Sequence, residues 1–225
     1  MIELAAAHSQ QLTPGELPAA VRAALGKPLR RAPVLAQLAV LGALACLPAD
    51  RRQRPTALLW QTTSGPRLET LELLDEVCQG SGEPMPFSFL ATVPASAAVQ
   101  LQPFVPGLRS ASMLPLDSEG EGNWRLMLAM AANWLATGRY EQVLCAHLDH
   151  WADNLASHWL CLRCTDDGEL PLASLRPAGD GDALPLADHP ELPAGVAAWL
   201  ASGELRPLRL LSPATPGLAV EFARP

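Results

Sequence analysis

The sequence predicts an α/β layer fold around a central sheet, and three observations carry that expectation. Strand-length apolar runs alternate with segments of helical period along most of the chain. One of those runs, QVLCAHL from Gln142 to Leu148, is continuously apolar in the manner of a strand covered on both faces. The 22 prolines act as loop and boundary markers in a chain that is 49% apolar and only 17% charged, a composition far from that of disordered chains.

Taken in order, IELAAAHS (Ile2 to Ser9) opens the fold as a short strand. Thr13-Pro14 reads as the cap and first-turn pair of a helix that runs through Leu25 and is stopped by Gly26. The second helix, from Ala32 to Leu47, is apolar on nearly every side, which requires burial against more than one neighbour. TALLWQTT (Thr56 to Thr63) has strand composition and ends at Ser64-Gly65-Pro66, after which Leu68, Leu71, Leu74 and Cys78 recur at helical spacing. Phe87, Phe89 and Leu90 are expected as core anchors, followed by a short Ala-rich helix near Ala95 to Leu101 and a strand over Arg109 to Pro115.

The next helix, Asn123 to Thr137, carries Trp124, Met127, Leu128, Ala131, Trp134 and Leu135 on one face and Leu126 and Met130 on another. It is expected to be buried nearly all round, with Gly138 as its stop. QVLCAHL and SHWLCLRCT (Ser157 to Thr165) are the following strands. Beyond Thr165 the chain turns rich in Pro, Gly and Asp, and only AGVAAWLASG, PLRLLSP and GLAVEFA restore a pattern. The expectation is one domain over 1–225, with 166–225 as a poorly patterned C-terminal extension.

Composition excludes several function classes. A net charge of -7 without a long basic run disfavours a nucleic-acid surface, which needs clustered cations. The best basic run, Arg51-Arg52-Gln53-Arg54, reads as solvated surface in a loop between helices. VLAQLAVLGALACL (Val34 to Leu47) is shorter than the roughly 20 residues a bilayer crossing needs, and no signal segment is evident at the N-terminus, so a cytoplasmic location is expected. Five cysteines, unevenly spread, read as reduced thiols rather than a disulfide framework.

The order of pieces resembles the N-terminal half of the β-ketoacyl synthases, and in particular the short stand-alone ketosynthase-like proteins of aryl polyene, fatty acid and polyketide clusters. The segments that carry the resemblance are LPAAVRAALGKPLRRAPVLAQLAVLGALACL, TALLWQTTSGPRLETLELLDEV, PFSFLATVPASAAVQLQPFVPGLRSAS and LAMAANWLATGRYEQVLCAHLD, covering about Leu17 to Cys164. It implies half of a thiolase-like fold, a layered mixed sheet with a buried helix.

It also implies that an active relative would carry an acyl-accepting cysteine at the start of that helix, where the helix dipole stabilises a thiolate. Counting back from Gly138-Arg139 places the nucleophile's position at Glu121, and there is no cysteine between Cys78 and Cys145. A carboxylate there is a poor acyl acceptor. The resemblance therefore implies a catalytically silent accessory protein that binds a complete ketosynthase or an acyl carrier protein. Arg109 to Leu114 is the expected association edge, for a partner or a second copy. No cofactor and no metal are expected.

Other candidates remain beside that reading. His147, Asp149 and His150 gather possible proton carriers at the end of a buried strand, where α/β proteins often place functional groups. With Glu121 they could serve a small acyltransferase, thioesterase or decarboxylase, whereas the structural alternative has Asp149 hold the following turn. A lipid or small-molecule binding module is the third possibility. Ser64 lacks the G-x-S-x-G elbow of a hydrolase. Cys161 and Cys164 form a CxxC, but they would leave opposite faces of a strand, which favours core or edge thiols over a metal or redox pair. The six tryptophans read first as core.

Overall fold

A computed structural model describes residues 1–80, 83, 85–116, 122–165, 170–211 and 219–225. The expected alternation folds into one mixed sheet with helices on both faces. Its strands are β1 (Ile2–Leu12), β2 (Thr56–Gln61), β3 (Leu108–Met113), β4 (Gln142–Trp151), β5 (Asn154–Cys164), β6 (Ala173–Pro177), β7 (Leu184–Ala187), β8 (Leu208–Leu211) and β9 (Val220–Ala223). They lie in the order β3-β2-β4-β5-β1-β6-β9-β8-β7. β2 is parallel to both β3 and β4, while β5 runs antiparallel to β4 and to β1. The extension adds β6, β9, β8 and β7 to the free side of β1.

One face is packed by α1 (Leu17–Leu25), α2 (Val34–Cys46) and α5 (Ser96–Leu101). Nine of the 13 residues of α2 are buried, so its all-round apolarity is satisfied as expected. Gly42 shows how closely α2 approaches the sheet: a Cβ there would meet the Trp159 indole at 1.8 Å. The other face is packed by α6 (Trp124–Ala136) and α7 (Leu192–Ser202), lying against β1, β4, β5 and the strands of the extension. Leu175, Leu208, Leu210, Val220 and Phe222 of the extension enter the same core as Trp124, Met127 and Leu128 of α6.

Several local expectations change. Thr13-Pro14 is a turn before α1 rather than its cap: the Glu16 carboxylate accepts the Thr13 N–H and hydroxyl, both at 2.8 Å, and the helix starts at Leu17. Arg51 is buried in a short 3-10 turn over Ala49–Arg51 between α2 and β2, so the basic run is not all solvated surface. The helix α3 (Arg67–Gln79) forms as expected but buries no residue, with Leu71, Leu74 and Val77 each 53% exposed. Phe87, Phe89 and Leu90 of α4 (Pro86–Ala91) are exposed, not core anchors, because α4 packs mainly on the exposed α3. Leu126 of α6 is also exposed, so that helix is buried on one broad face and not all round.

Candidate functional site

The site assembles at the N-terminus of α6. Gln61 ends β2, and its Oε1 accepts the backbone N–H of Asn123 at 2.8 Å, fixing where the helix begins. The first two helical amides, of Trp124 and Arg125, donate to Asp188 Oδ1 and Oδ2 at 3.1 and 3.2 Å. The Gly122 N–H donates to the Asp188 carbonyl at 2.8 Å, and the Trp124 indole N–H to the Pro190 carbonyl at 3.2 Å. Unpaired amides and the positive end of the dipole make such a helix start a natural anion site. Here the anion is the chain's own carboxylate, carried on the strap 188–191 that joins β7 to α7. Gly122 is where the strap and the helix start come together, since a Cβ there would lie 2.7 Å from the Trp124 ring and 2.9 Å from Asp188 Oδ1.

Beneath the strap a polar row crosses the sheet. Gln61 stands beside His147, His147 beside His158, and His158 beside Ser9, on the neighbouring strands β2, β4, β5 and β1. Strand alternation turns these residues to the α6 and α7 face, shared with Leu59, Cys145 and Leu160. Gln61, His147 and His158 are 0%, 2% and 2% exposed, and the two imidazoles stack with centroids 6.2 Å apart. Gln61 Nε2, His147 Nδ1, both ring nitrogens of His158 and the Ser9 hydroxyl have no hydrogen-bond partner among the described residues. Buried polar groups are nearly always paired, so five unpaired atoms on four residues in one line single out this place.

Their titration follows from that burial. His147 is lowered to about 4 chiefly by desolvation; Asp149 opposes the shift, and His158 and His189 add to it. Desolvation also lowers His158, against the pull of Glu191 and with help from His189 and His8. Both rings are therefore neutral near pH 7. The strap reaches back to the sheet at its other end as well, where Gln11 Nε2 donates to Glu191 Oε1 at 3.1 Å.

The residues singled out from sequence are divided by this geometry. His147 belongs to the row, but Asp149 and His150 form a second network with the turn after β2. Asp149 Oδ1 accepts the Ser64 N–H at 2.7 Å and the Ser64 hydroxyl, and the His150 N–H donates to Ser64 Oγ at 3.1 Å. Asp149 thus holds the turn that precedes α3, not the one following its own strand. The His150 ring faces Glu69 instead, Nδ1 to Oε1 3.7 Å, and among the described residues no imidazole hydrogen-bonds Ser64, so the network orders a turn. Glu121 lies outside the described residues.

Cys161 and Cys164 do leave β5 on opposite faces: Cys161 enters the α2 core, and Cys164 donates to the Leu135 carbonyl at 3.4 Å. Burial pushes Cys145 up, and carries Cys161 to about 12, so neither offers a thiolate. All five cysteines are free thiols. Among the described residues no group of three or more His, Cys, Asp or Glu is arranged to hold a metal ion, and no helix is long and apolar enough to cross a membrane.

Sequence reasoning missed Gln61, His158, Asp188, His189 and Ser9. For His158 a signal was present: SHWLCLRC alternates, and a histidine on the same face as Leu160 and Leu162 had to be buried. Nothing in the sequence placed Asp188 against a helix more than 60 residues earlier.

No family model matches the chain, and no curated protein matches it in sequence. Solved structures do match its fold. A ketosynthase in complex with its chain length factor from Xenorhabdus doucetiae matches at TM-score 0.58 and 16% identity, covering 99% of this chain and 99% of that chain. The ishigamide ketosynthase/chain length factor matches at 0.63 and 12% identity, covering 98% of each chain. A type II PKS acyl-carrier protein in complex with its ketosynthase bound to the hexaketide matches at 0.63 and 11% identity, covering 100% of this chain and 99% of that chain. The chain is thus an α/β protein with the thiolase-like fold of the ketosynthases. In this instance of the fold, a carboxylate from the C-terminal strap occupies the start of the buried helix.

Proposed function

We propose that the protein is a catalytically silent ketosynthase-like subunit that assists carbon chain assembly in fatty acid or polyketide biosynthesis by binding a partner. The partner is a complete ketosynthase, an acyl carrier protein or both. One observation carries the reading: Asp188 takes the two amides at the start of α6, where an active relative would stabilise a thiolate. The sequence has no cysteine between Cys78 and Cys145.

Two surfaces support the partner. β3 ends the sheet, so its outer edge is unpaired among the described residues, with Arg109, Ala111 and Met113 exposed along it. An unpaired edge is a template for pairing with another chain. On α3 and α4, Leu71, Leu74, Val77, Phe89 and Leu90 form an apolar surface of the kind that marks interaction sites.

The test is co-purification with a ketosynthase and a carrier protein expressed in the same cell, together with incubation with acyl- and malonyl-loaded carrier protein. Stable capture that Ala111→Glu or Met113→Glu weakens, without acyl transfer to this chain, is the expected result. Turnover abolished by His147→Ala would instead establish the small acyltransferase, thioesterase or decarboxylase. A protein that captures neither partner and transfers nothing would end the accessory reading.

A further inference from the structure

The strap 188–191 is held over a buried row that leaves polar atoms unmatched, and the two features belong together. It is held by the Asp188 carboxylate and carbonyl on the α6 start, the Pro190 carbonyl on Trp124, and Glu191 on Gln11. On one side it continues into β7, the last strand of the sheet, which pairs only with β8 among the described residues. Below it lie the stacked rings of His147 and His158, with His147 Nδ1 and both His158 nitrogens lacking a hydrogen-bond partner among the described residues. His189 is exposed on the strap itself, and its Nδ1 accepts the Glu191 N–H at 3.3 Å.

We propose that the strap is a pH-sensitive latch on the α6 N-terminus: closed while the imidazoles of His147 and His158 are neutral, and released when they take up protons. Opening hydrates the row, exposes the amides of Trp124 and Arg125, and lets solvent reach the unpartnered Gln61 Nε2, so the released state offers an anion site that the closed state fills with Asp188.

The direction follows from the groups that face the row. Around His147 stand Asp149 on its own strand, His158 on β5 and His189 on the strap; around His158 stand Glu191 and His189 on the strap and His8 on β1. Asp149 and Glu191 favour the cations, but burial outweighs them and both rings titrate below their ordinary value in the closed form. An open form in which the rings meet water binds protons more readily. The closed form therefore loses ground as pH falls through the ordinary histidine value of 6.5 toward about 4. Between pH 7.5 and about pH 5, His147 alone shifts the opening equilibrium by roughly thirtyfold.

Amide hydrogen exchange on the full chain tests this, read on peptides covering 184–191 and 122–127 and scaled for the intrinsic pH dependence of exchange. The expected result is a gain in opening of tenfold or more at about pH 5 over pH 7.5, confined to those peptides. Peptides of β4 and β5 stay protected. His147→Gln and His158→Gln each reduce the gain, and Asp188→Asn raises opening at both pH values. Should His147→Gln fail to fold, His158→Gln carries the test. The proposal is overturned if the two peptides show no pH-dependent gain, if both Gln variants retain it in full, or if protection is lost across the whole sheet at once.

Discussion

The first five strands and the four of the extension belong to one sheet but are stabilised differently. β2, β4 and β5 are buried on both faces, and their cores hold Leu58, Trp60, Leu144, Trp159 and Leu160 among others. β6, β8 and β9 turn Leu175, Leu208, Leu210, Val220 and Phe222 to the α6 face. On the opposite face, Glu221 stands directly across from Arg176 and from Arg209. It accepts from them at 2.9 and 3.1 Å while itself 2% exposed. The first region depends on close packing on two sides, the second on one apolar side and a clamped carboxylate. The lesson is that the region with the thinner core supplies the strap that defines the site.

The largest difference between the two regions should show when a tryptophan is removed from each. Trp159 is fully buried against Gly42 of α2 and makes an indole hydrogen bond to Ser157 Oγ at 2.7 Å. Trp159→Ala should cost about 3–5 kcal/mol in urea unfolding. Trp199→Ala in α7 should cost less, since its ring is 5% exposed and Arg224 stacks on it at 5.0 Å. Equal losses would mean that the two regions share one core of uniform quality.

The same division explains what the sequence made legible. Long apolar segments such as Val34 to Cys46 and Gln142 to Leu148 carry their own period, so α2, α6, β4 and β5 were readable to within a few residues. The strands of the extension are only four or five residues long: PLRLLSP and GLAVEFA still mark β8 and β9, but β6 and β7, set among Pro, Gly and Asp, are too short to stand out from loop composition. Phe87, Phe89 and Leu90 misled for another reason: apolarity marks surface that needs covering, but not whether the same chain provides the cover. Of the site, His147 was legible because it interrupts a buried strand. Asp188 was not, because a capping contact across 64 residues leaves no local trace.

Acid should act on the buried histidine row before the Glu221 clamp. The folded state depresses His147 to about 4 from 6.5, so its neutral form contributes fully above 6.5 and that contribution is lost as pH falls toward 4. The loss is on the order of 3 kcal/mol by about pH 4, and His147→Gln should flatten the slope of unfolding free energy against pH over that interval. Glu221 behaves with the opposite proton preference. Burial pushes its carboxyl up, but hydrogen bonds from Arg209 and Arg176 outweigh this and hold it below 4.5. Its contribution is present above 4.5 and disappears as pH falls further, so the Glu221 clamp between β6, β9 and β8 should yield only in stronger acid.

At neutral pH, Glu221→Gln should cost about 1–2 kcal/mol, less than a fully enclosed ion pair, because Arg176 and Arg209 keep contact with water. Thermal unfolding would register it. A loss as large as that of Trp159→Ala would make the clamp, not the packing of the α6 face, the main support of the extension.

Asp188→Ala is the smallest change and the most discriminating. It removes two acceptors from the start of α6 and a charge from the positive end of the helix, and should cost about 1 kcal/mol. If the extension only completes the core, that cost will spread over the whole unfolding transition and the surface of the protein will stay the same. If the strap acts as a stopper, the variant should instead expose the Trp124 indole, whose N–H donates to the Pro190 carbonyl of the strap. Collisional quenching of tryptophan fluorescence in the native state separates the two. Greater quenching in Asp188→Ala than in the parent, at a concentration of denaturant where both remain folded, is the expected outcome, and unchanged quenching would assign the carboxylate to helix capping alone.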